Sequence, residues 1–420
     1  MAHNLHLQLL LPLKRLLSCF IAKAETALFI HDDHYALTIT QKRYSQLADP
    51  FAMDLRSLGF SVQIYRYPGS KLSESALKYK SYNTSLLFSL FCCIGLVATL
   101  SKRSAKIYAW SALIRLLGCK YIYAFQPSPN LCQAACHSNV AVYDLQHGMI
   151  APNDPYYQPY FDPWRDQALK PDAILFLYKA SFDFWKFRAS SPSCQYLGSP
   201  YLADPIHQKS MPIHNQAVNY GITILFSQQP GYGRSWGTAE DCDGQWLQAG
   251  IPLCLVELLR DLSHPVSLII RLHPLSTEDA DSISDLFVKL GCSCEHKIEI
   301  VCGTTVPLPA HLAAINLHVT SHSAVVYEAA ECNVPSIVLA QSDSIKQQYQ
   351  ALADQGLVVF ASNHSKQFAN AVQRIIHSAD STDNQSFRFD PVQYRCSYLH
   401  ELKLHLNKRH HILPATRMKQ

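Results

Sequence analysis

Charge is scarce in this chain. Asp, Glu, Lys and Arg make up only 16% of 420 residues, and the formal charge at pH 7 is +4. There is no basic stripe either. The one Lys/Arg-rich cluster is the tail Lys408-Arg409-His410-His411, an ordinary solvated tail that would otherwise suit anionic lipid. This excludes nucleic acid as a partner, which takes a clustered basic face. Disorder is excluded as well, because 48% of the residues are hydrophobic, enough to bury a core.

Paired cysteine knuckles are missing. The fourteen cysteines are scattered, and Cys92, Cys93, Cys119 and Cys254 sit inside apolar runs, where a free thiol behaves as a small hydrophobe. The nearest thing to a metal cluster, Cys292-Ser-Cys294-Glu-His296 with Cys302, fits zinc spacings poorly, so no metal or other cofactor is expected. Reduced thiols point to the cytosol. A cleavable signal is not expected, because the apolar stretch Leu5 to Leu13 precedes Lys14 and Arg15, whereas a signal carries its charges first. No solenoid-period repeat and no low-complexity tract is found.

One uncharged run stands out, Ser81 to Ser101, with Leu86-Leu-Phe-Ser-Leu-Phe-Cys-Cys-Ile94 at its centre. It is long enough to be a borderline membrane span. Gly, Ser, Thr and Asn dilute it, so it reads as a helix buried against a sheet. A peripheral helix at the inner membrane is the intermediate alternative.

The length calls for two domains. In the first, strands are expected at Thr26–Ile30, Ser61–Tyr67, Lys120–Phe125, Val140–Leu145, Asp172–Tyr178 and Cys194–Leu197. Helices fall between them at Tyr44–Leu58, Ser104–Leu117 and Asn130–His137. A polar, turn-rich linker follows. The second series has strands at Gly221–Phe226, 266–272, 315–320, 335–340 and 357–361, with helices at 251–262, 280–290, 324–332 and 365–378. This alternation predicts doubly wound α/β units. The division is residues 1–205, a linker over 206–219, a second unit over 220–390, and a helix in 391–420 that returns to the first unit.

Three polar segments close strands, where open α/β sheets bind ligands. Gln146-His147-Gly148 ends a first-unit strand; its Gly lets backbone approach a ligand, and His147 could take a proton or orient a carboxylate. Arg271-Leu-His273-Pro274 ends the run from Val266; a second His-Pro pair, His264-Pro265, precedes its strand and is set aside. Ser321-His-Ser323 follows a strand and opens a helix carrying Glu328. Hydroxyls and free N–H groups there suit a phosphate, and Glu328 could accept bonds from ribose hydroxyls. The loop from Gln228 to Gly244 adds Glu240, Asp241 and Asp243. A carboxylate beside an oxocarbenium-like centre can act as base or nucleophile; equally, these acids could cap the helix entering at Gln245.

Two Rossmann-like halves facing across a cleft describe the GT-B architecture. Tyr143-Asp-Leu-Gln146-His147-Gly148, Arg271-Leu-His273-Pro274 and Ser321-His-Ser323 with Glu328 resemble bacterial surface-polysaccharide glycosyltransferases, and are most similar to the sialyl and Kdo transferases that use CMP-activated keto sugars. The resemblance covers roughly residues 120 to 345. It implies that His273, Ser321, Ser323 and Glu328 hold the CMP phosphate and ribose, with Arg271 near the base or phosphate. Glu240-Asp-Cys-Asp243-Gly resembles the acidic-Gly motif of sialyltransferases, although its place before His-Pro is more like that of retaining β-Kdo transferases, which leaves the stereochemistry open. Gln146, Gly148 and Gln228 are the remaining substrate candidates. The implied protein is cytoplasmic, transfers sugar to a glycan or lipid-linked acceptor in capsule or lipopolysaccharide synthesis, and needs no metal. The alternatives are a UDP-, GDP- or CDP-dependent transferase or epimerase, and a non-catalytic polysaccharide-assembly protein.

Overall fold

The structure, a computed structural model, describes residues 24–30, 36–39, 42–68, 81–99, 101–146, 148, 150, 156–162, 164–187, 192–204, 222–229, 246–247, 250–262, 265–273, 276, 278–292, 296–303, 305–339, 342–380 and 389–412. In chain order the first half has β1 (Thr26–Ile30), β2 (Ala36–Ile39), β3 (Lys42–Ser45), α1 (Ala48–Ser57), β4 (Val62–Arg66), β5 (Ser81–Asn83), α2 (Ser85–Thr99) and α3 (Lys102–Leu117). It continues with β6 (Tyr121–Phe125), α4 (Pro129–His137), β7 (Ala141–Leu145), α5 (Gln158–Phe161), β8 (Ala173–Phe176), α6 (Lys179–Trp185) and β9 (Ser193–Tyr196). The second half has β10 (Ile222–Ser227), α7 (Leu253–Asp261), β11 (Val266–Leu272), α8 (Ala280–Lys289), β12 (Lys297–Cys302), α9 (Leu308–Leu312) and β13 (Leu317–Thr320). Then come α10 (Val325–Glu331), β14 (Ser336–Val338), α11 (Asp343–Asp354), β15 (Val358–Phe360), α12 (Ser365–Asp380) and α13 (Pro391–Ile412).

Seven strands pair in the order β5-β4-β1-β6-β7-β8-β9, and six in the order β12-β11-β10-β13-β14-β15. Every pairing within these two sheets is parallel. Parallel strands covered on both faces read as unbroken apolar runs, and β1, β6, β7 and β11 are buried along their whole length. Each such Leu or Ile withdrawn from water contributes about 1.5–3 kcal/mol. Helix ends follow local chemistry: Ser128, Asp279 and Ser342 cap α4, α8 and α11 by accepting a backbone N–H, and Gly118 ends α3 in the left-handed conformation.

Two expectations change, and strand β12 was not foreseen. The helix expected from Tyr44 starts at Ala48, because Lys42–Ser45 instead pairs with β2 as an antiparallel hairpin. The run expected to lie buried against the sheet packs mainly on α3. Phe91 reaches the core and Phe88 meets Trp110, but Leu86 and Val97 are each 82% exposed. Gly95 permits that helix pairing, since a Cβ there would come within 3.0 Å of the Ala105 backbone. This edge strand begins beside His296, which accepts the Val266 N–H on its Nδ1. Among the described residues no group of three His, Cys, Asp or Glu is placed to hold a metal ion, and no helix is long and apolar enough to cross a membrane.

The last helix, α13, lies against first-half elements. Arg395 pairs with Asp54 on α1. His405 bonds the Tyr123 hydroxyl through Nε2 at 2.9 Å and Gln195 Oε1 through Nδ1 at 2.8 Å. The expected linker, residues 206–219, lies outside the described residues.

Candidate functional site

β10 and β11 run in register, with Ser227 beside Arg271, and the Thr320 hydroxyl at the end of β13 donates to the Ser227 carbonyl at 3.0 Å. Three strand ends are thereby brought level. They open on a cleft of about 220 Å³ lined by Gln228, Arg271, His273, Ser323 and Glu328 from the second half and by Gln46 and Tyr201 from the first.

Arg271 is held from behind. Its guanidinium donates to the carbonyls of Val306 at 2.6 Å and Gly303 at 2.7 Å, and it meets His311 Nδ1 at 3.4 Å. Burial, together with the neighbouring Arg271 charge, lowers the His311 pKa to about 3, so its Nδ1 is free to accept. The fixed cation faces Glu328, the acidic side chain among the described lining residues. Burial raises the Glu328 carboxyl to about 7, against a bond from the Tyr178 hydroxyl and the Arg271 charge, which both lower it. Near neutrality the group therefore exchanges its proton readily.

Gln228 is a bracket between strands. Its backbone N–H donates to the Arg271 carbonyl at 3.0 Å, and its Oε1 accepts the His273 backbone N–H at 3.1 Å. Ser323 lines the cleft, but its polar groups are partly committed. Its Oγ accepts the Val325 N–H at 3.2 Å, and its N–H and carbonyl both pair with the Tyr349 hydroxyl. The free N–H groups expected at this turn are thus already engaged at Ser323 and Val325. Ser321 is buried and is not among the residues lining the cleft.

One first-half candidate changes role. Gln146 is fully buried, and both ends of its amide are used: Nε2 donates to the Gly148 carbonyl and Ser181 Oγ, and Oε1 accepts the N–H groups of Leu177 and Tyr178. It is a strut that sets the entry to α6, not a ligand contact. Gly148 has φ +70, and a Cβ on it would meet no protein atom within 4 Å; the turn requires the left-handed backbone that glycine adopts at little cost. His147, Glu240, Asp241, Asp243 and Pro274 lie outside the described residues. Gln229, the last described residue at the start of the acidic loop, lines the cleft.

Sequence reasoning missed Gln46, Tyr201, Tyr178 and Tyr349. Gln46 is 2% exposed, and its buried Oε1 has no hydrogen-bond partner among the described residues. It is fixed by Ser45, whose Oγ accepts the Ala48 N–H while its own N–H donates to Asp49. These reciprocal bonds span the start of α1, whose own N-cap, Leu47, has no side-chain cap, so no sequence signal marked Gln46. Tyr201 accepts the Leu308 N–H at 3.1 Å. A larger cavity, of about 410 Å³, lies behind α10 around Glu331, Tyr196 and Tyr394. Its carboxylate already accepts from the Lys179 N–H and from both tyrosine hydroxyls, which leaves less for a ligand than the cleft offers.

No protein-family model matches the sequence, and no curated protein matches it. Solved structures do share its fold. UDP-GlcNAc 2-epimerase from Neisseria meningitidis bound to UDP-GlcNAc is 12% identical with TM-score 0.56, over 91% of this chain and 100% of that one. MnaA of S. aureus with UDP is 12% identical with TM-score 0.53, over 93% and 97%. The glycosyltransferase VinC in complex with dTDP is 12% identical with TM-score 0.52, over 91% and 98%. The chain has the GT-B fold, α/β with two parallel sheets, the fold of these epimerases and glycosyltransferases.

Proposed function

We propose that the chain is a glycosyltransferase that takes its sugar from a nucleotide-activated donor bound in this cleft. One observation carries the proposal: Arg271, His273 and Glu328 share a cleft at level strand ends with Gln46 and Tyr201 of the other half. Arg271 and His273 offset the charge of the leaving phosphate, a role that needs no metal. Glu328 accepts ribose hydroxyls, and the sugar lies toward Gln46. In direct transfer the bond from the anomeric carbon to the phosphate breaks as a bond to the acceptor oxygen forms and a carboxylate takes the acceptor proton; in two-step transfer the carboxylate forms the first bond and the acceptor oxygen then displaces it, losing its proton to a base. The loop beyond Gln229 supplies the carboxylate, with Asp243 as nucleophile or base and Asp241 and Glu240 beside it. His147 serves the first half, and a surface glycan or lipid-linked glycan is the acceptor.

The motif resemblance supports CMP-linked keto sugars of the Kdo or sialic-acid type as donors. A second reading, a UDP-linked donor with transfer or epimerisation, is favoured by the UDP and UDP-GlcNAc of two structures of like fold. Thermal shifts with CMP, UMP, UDP, GDP and CDP separate them. A nucleotide at a hundredfold its Kd stabilises the fold by about 2.7 kcal/mol. The largest shift is expected with CMP. A larger shift with UDP selects the second reading, and no shift with any nucleotide overturns both.

A further inference from the structure

The face of α2 turned away from the core is apolar, and no described residue covers it. Leu86 and Val97 are 82% exposed, Leu90 40% and Leu96 44%, and Cys93 is exposed beside them. Residues 86, 90, 93 and 97 recur at helical spacing, so they form one stripe. From Ser85 to Leu117 the sequence contains no acid, and its bases are Lys102, Arg103, Lys106 and Arg115. Lys102, Arg103 and Lys106 are exposed on the first turns of α3, and Lys106 lies beside Cys92 of α2.

We propose that this stripe, with the basic start of α3, docks the protein on an anionic phospholipid surface. The 15 residues of α2 form a helix about 22 Å long, suited to lying in the interface and too short to span the hydrocarbon. The charge pattern decides the occupant. A second copy presenting the same face about a two-fold axis would bring like charges together, whereas a layer of anionic headgroups neutralises Lys102, Arg103 and Lys106. The docking places no demand on the cleft, which lies at the carboxyl ends of the second sheet.

Flotation of the full chain with vesicles tests this. The protein should float with mixed phosphatidylcholine and phosphatidylglycerol, stay down with phosphatidylcholine alone, and be released by salt. L86S/V97S should weaken binding roughly tenfold or more, and K102Q/R103Q/K106Q about fivefold for each base removed. Circular dichroism checks the fold of each variant, and the charge variant stands alone should L86S/V97S unfold. Failure of the wild type to float with anionic vesicles overturns the proposal, as does undiminished flotation of either folded variant. So does sedimentation velocity showing a wild-type dimer that L86S/V97S dissociates, which would assign the face to a second copy. Nucleotide affinity should be unchanged in both variants.

Discussion

Tyr178, two residues beyond β8, donates its hydroxyl to Oε1 of Glu328 on α10 at 3.0 Å. A first-half side chain thus holds a carboxylate that lines the second-half cleft, and couples the approach of the two halves to the proton on Glu328. The carboxyl sits near pKa 7 mainly because it is buried. On the reading proposed above, the ionised carboxylate would accept ribose hydroxyls, whereas the protonated one spends one oxygen as a donor.

Nucleotide affinity should therefore rise with pH through about 7. Removing the Tyr178 bond raises the Glu328 pKa further, so Tyr178→Phe should move the midpoint upward. Calorimetric titration across a pH series is the measurement, and a flat profile would take Glu328 out of the ribose contact.

Stability should run the other way. The folded-state pKa of about 7 lies above the ordinary 4.5. Below 4.5 both folded and unfolded chains carry the proton, so nothing is lost there. As pH rises toward and past 7 the fold bears the cost of an ionised buried group, reaching about 3 kcal/mol. Glu328→Gln should gain on wild type by up to that amount between about pH 5 and about pH 8, read from urea unfolding.

His273 and Arg271 should separate under mutation. His273→Ala is expected to weaken nucleotide binding roughly tenfold to a hundredfold with the melting temperature kept. Arg271→Ala leaves the carbonyls of Val306 and Gly303 without their donor. It should cost about 2–4 kcal/mol of stability as well as affinity. Equal nucleotide affinity in wild type and His273→Ala would remove His273 from the pocket.

Gln146→Leu breaks four bonds inside the first half. Urea unfolding should show a loss of about 2–3 kcal/mol, while nucleotide affinity should hold to within about twofold. A loss of affinity with the fold intact would restore Gln146 as a ligand contact.

If Asp243 attacks the anomeric carbon, the product should retain configuration, and a covalent adduct should be trapped on Asp243 by a slow donor analogue. NMR of the new linkage decides. Inversion excludes the nucleophile, and retention with Asp243→Ala still active moves the role to Asp241 or Glu240.

The sheets were legible because buried parallel strands are written as apolar runs: Tyr121–Phe125 and Val266–Leu272 could hardly be anything else. Arg271 and His273 were legible because polarity at the end of such a run is costly unless used. Gln146 carried the same signal and meant something different, since a buried amide that braces a turn looks in sequence like one that awaits a ligand. Edge strand β12, half-buried with Lys297 and Glu299 among its residues, lost its apolar signature to solvent. Gln46 and Tyr178 were invisible for another reason: Gln46 reaches the cleft from just before a helix and Tyr178 reaches Glu328 from a strand-to-helix turn, both far away in the chain.

The clasp of α13 has a consequence in time. Tyr123 and His405 are 282 positions apart, and Asp54 and Arg395 are 341 apart. A ribosome adding about 5–20 residues per second leaves the first sheet waiting roughly fifteen seconds to a minute for its cover. Through that interval Tyr123 and Tyr143 lack the imidazole that packs edge-on against them, and a nearly buried Asp54 lacks its cation. The half of the molecule made first is thus completed last, and a nascent chain that stalls after the second sheet would leave its oldest segment exposed.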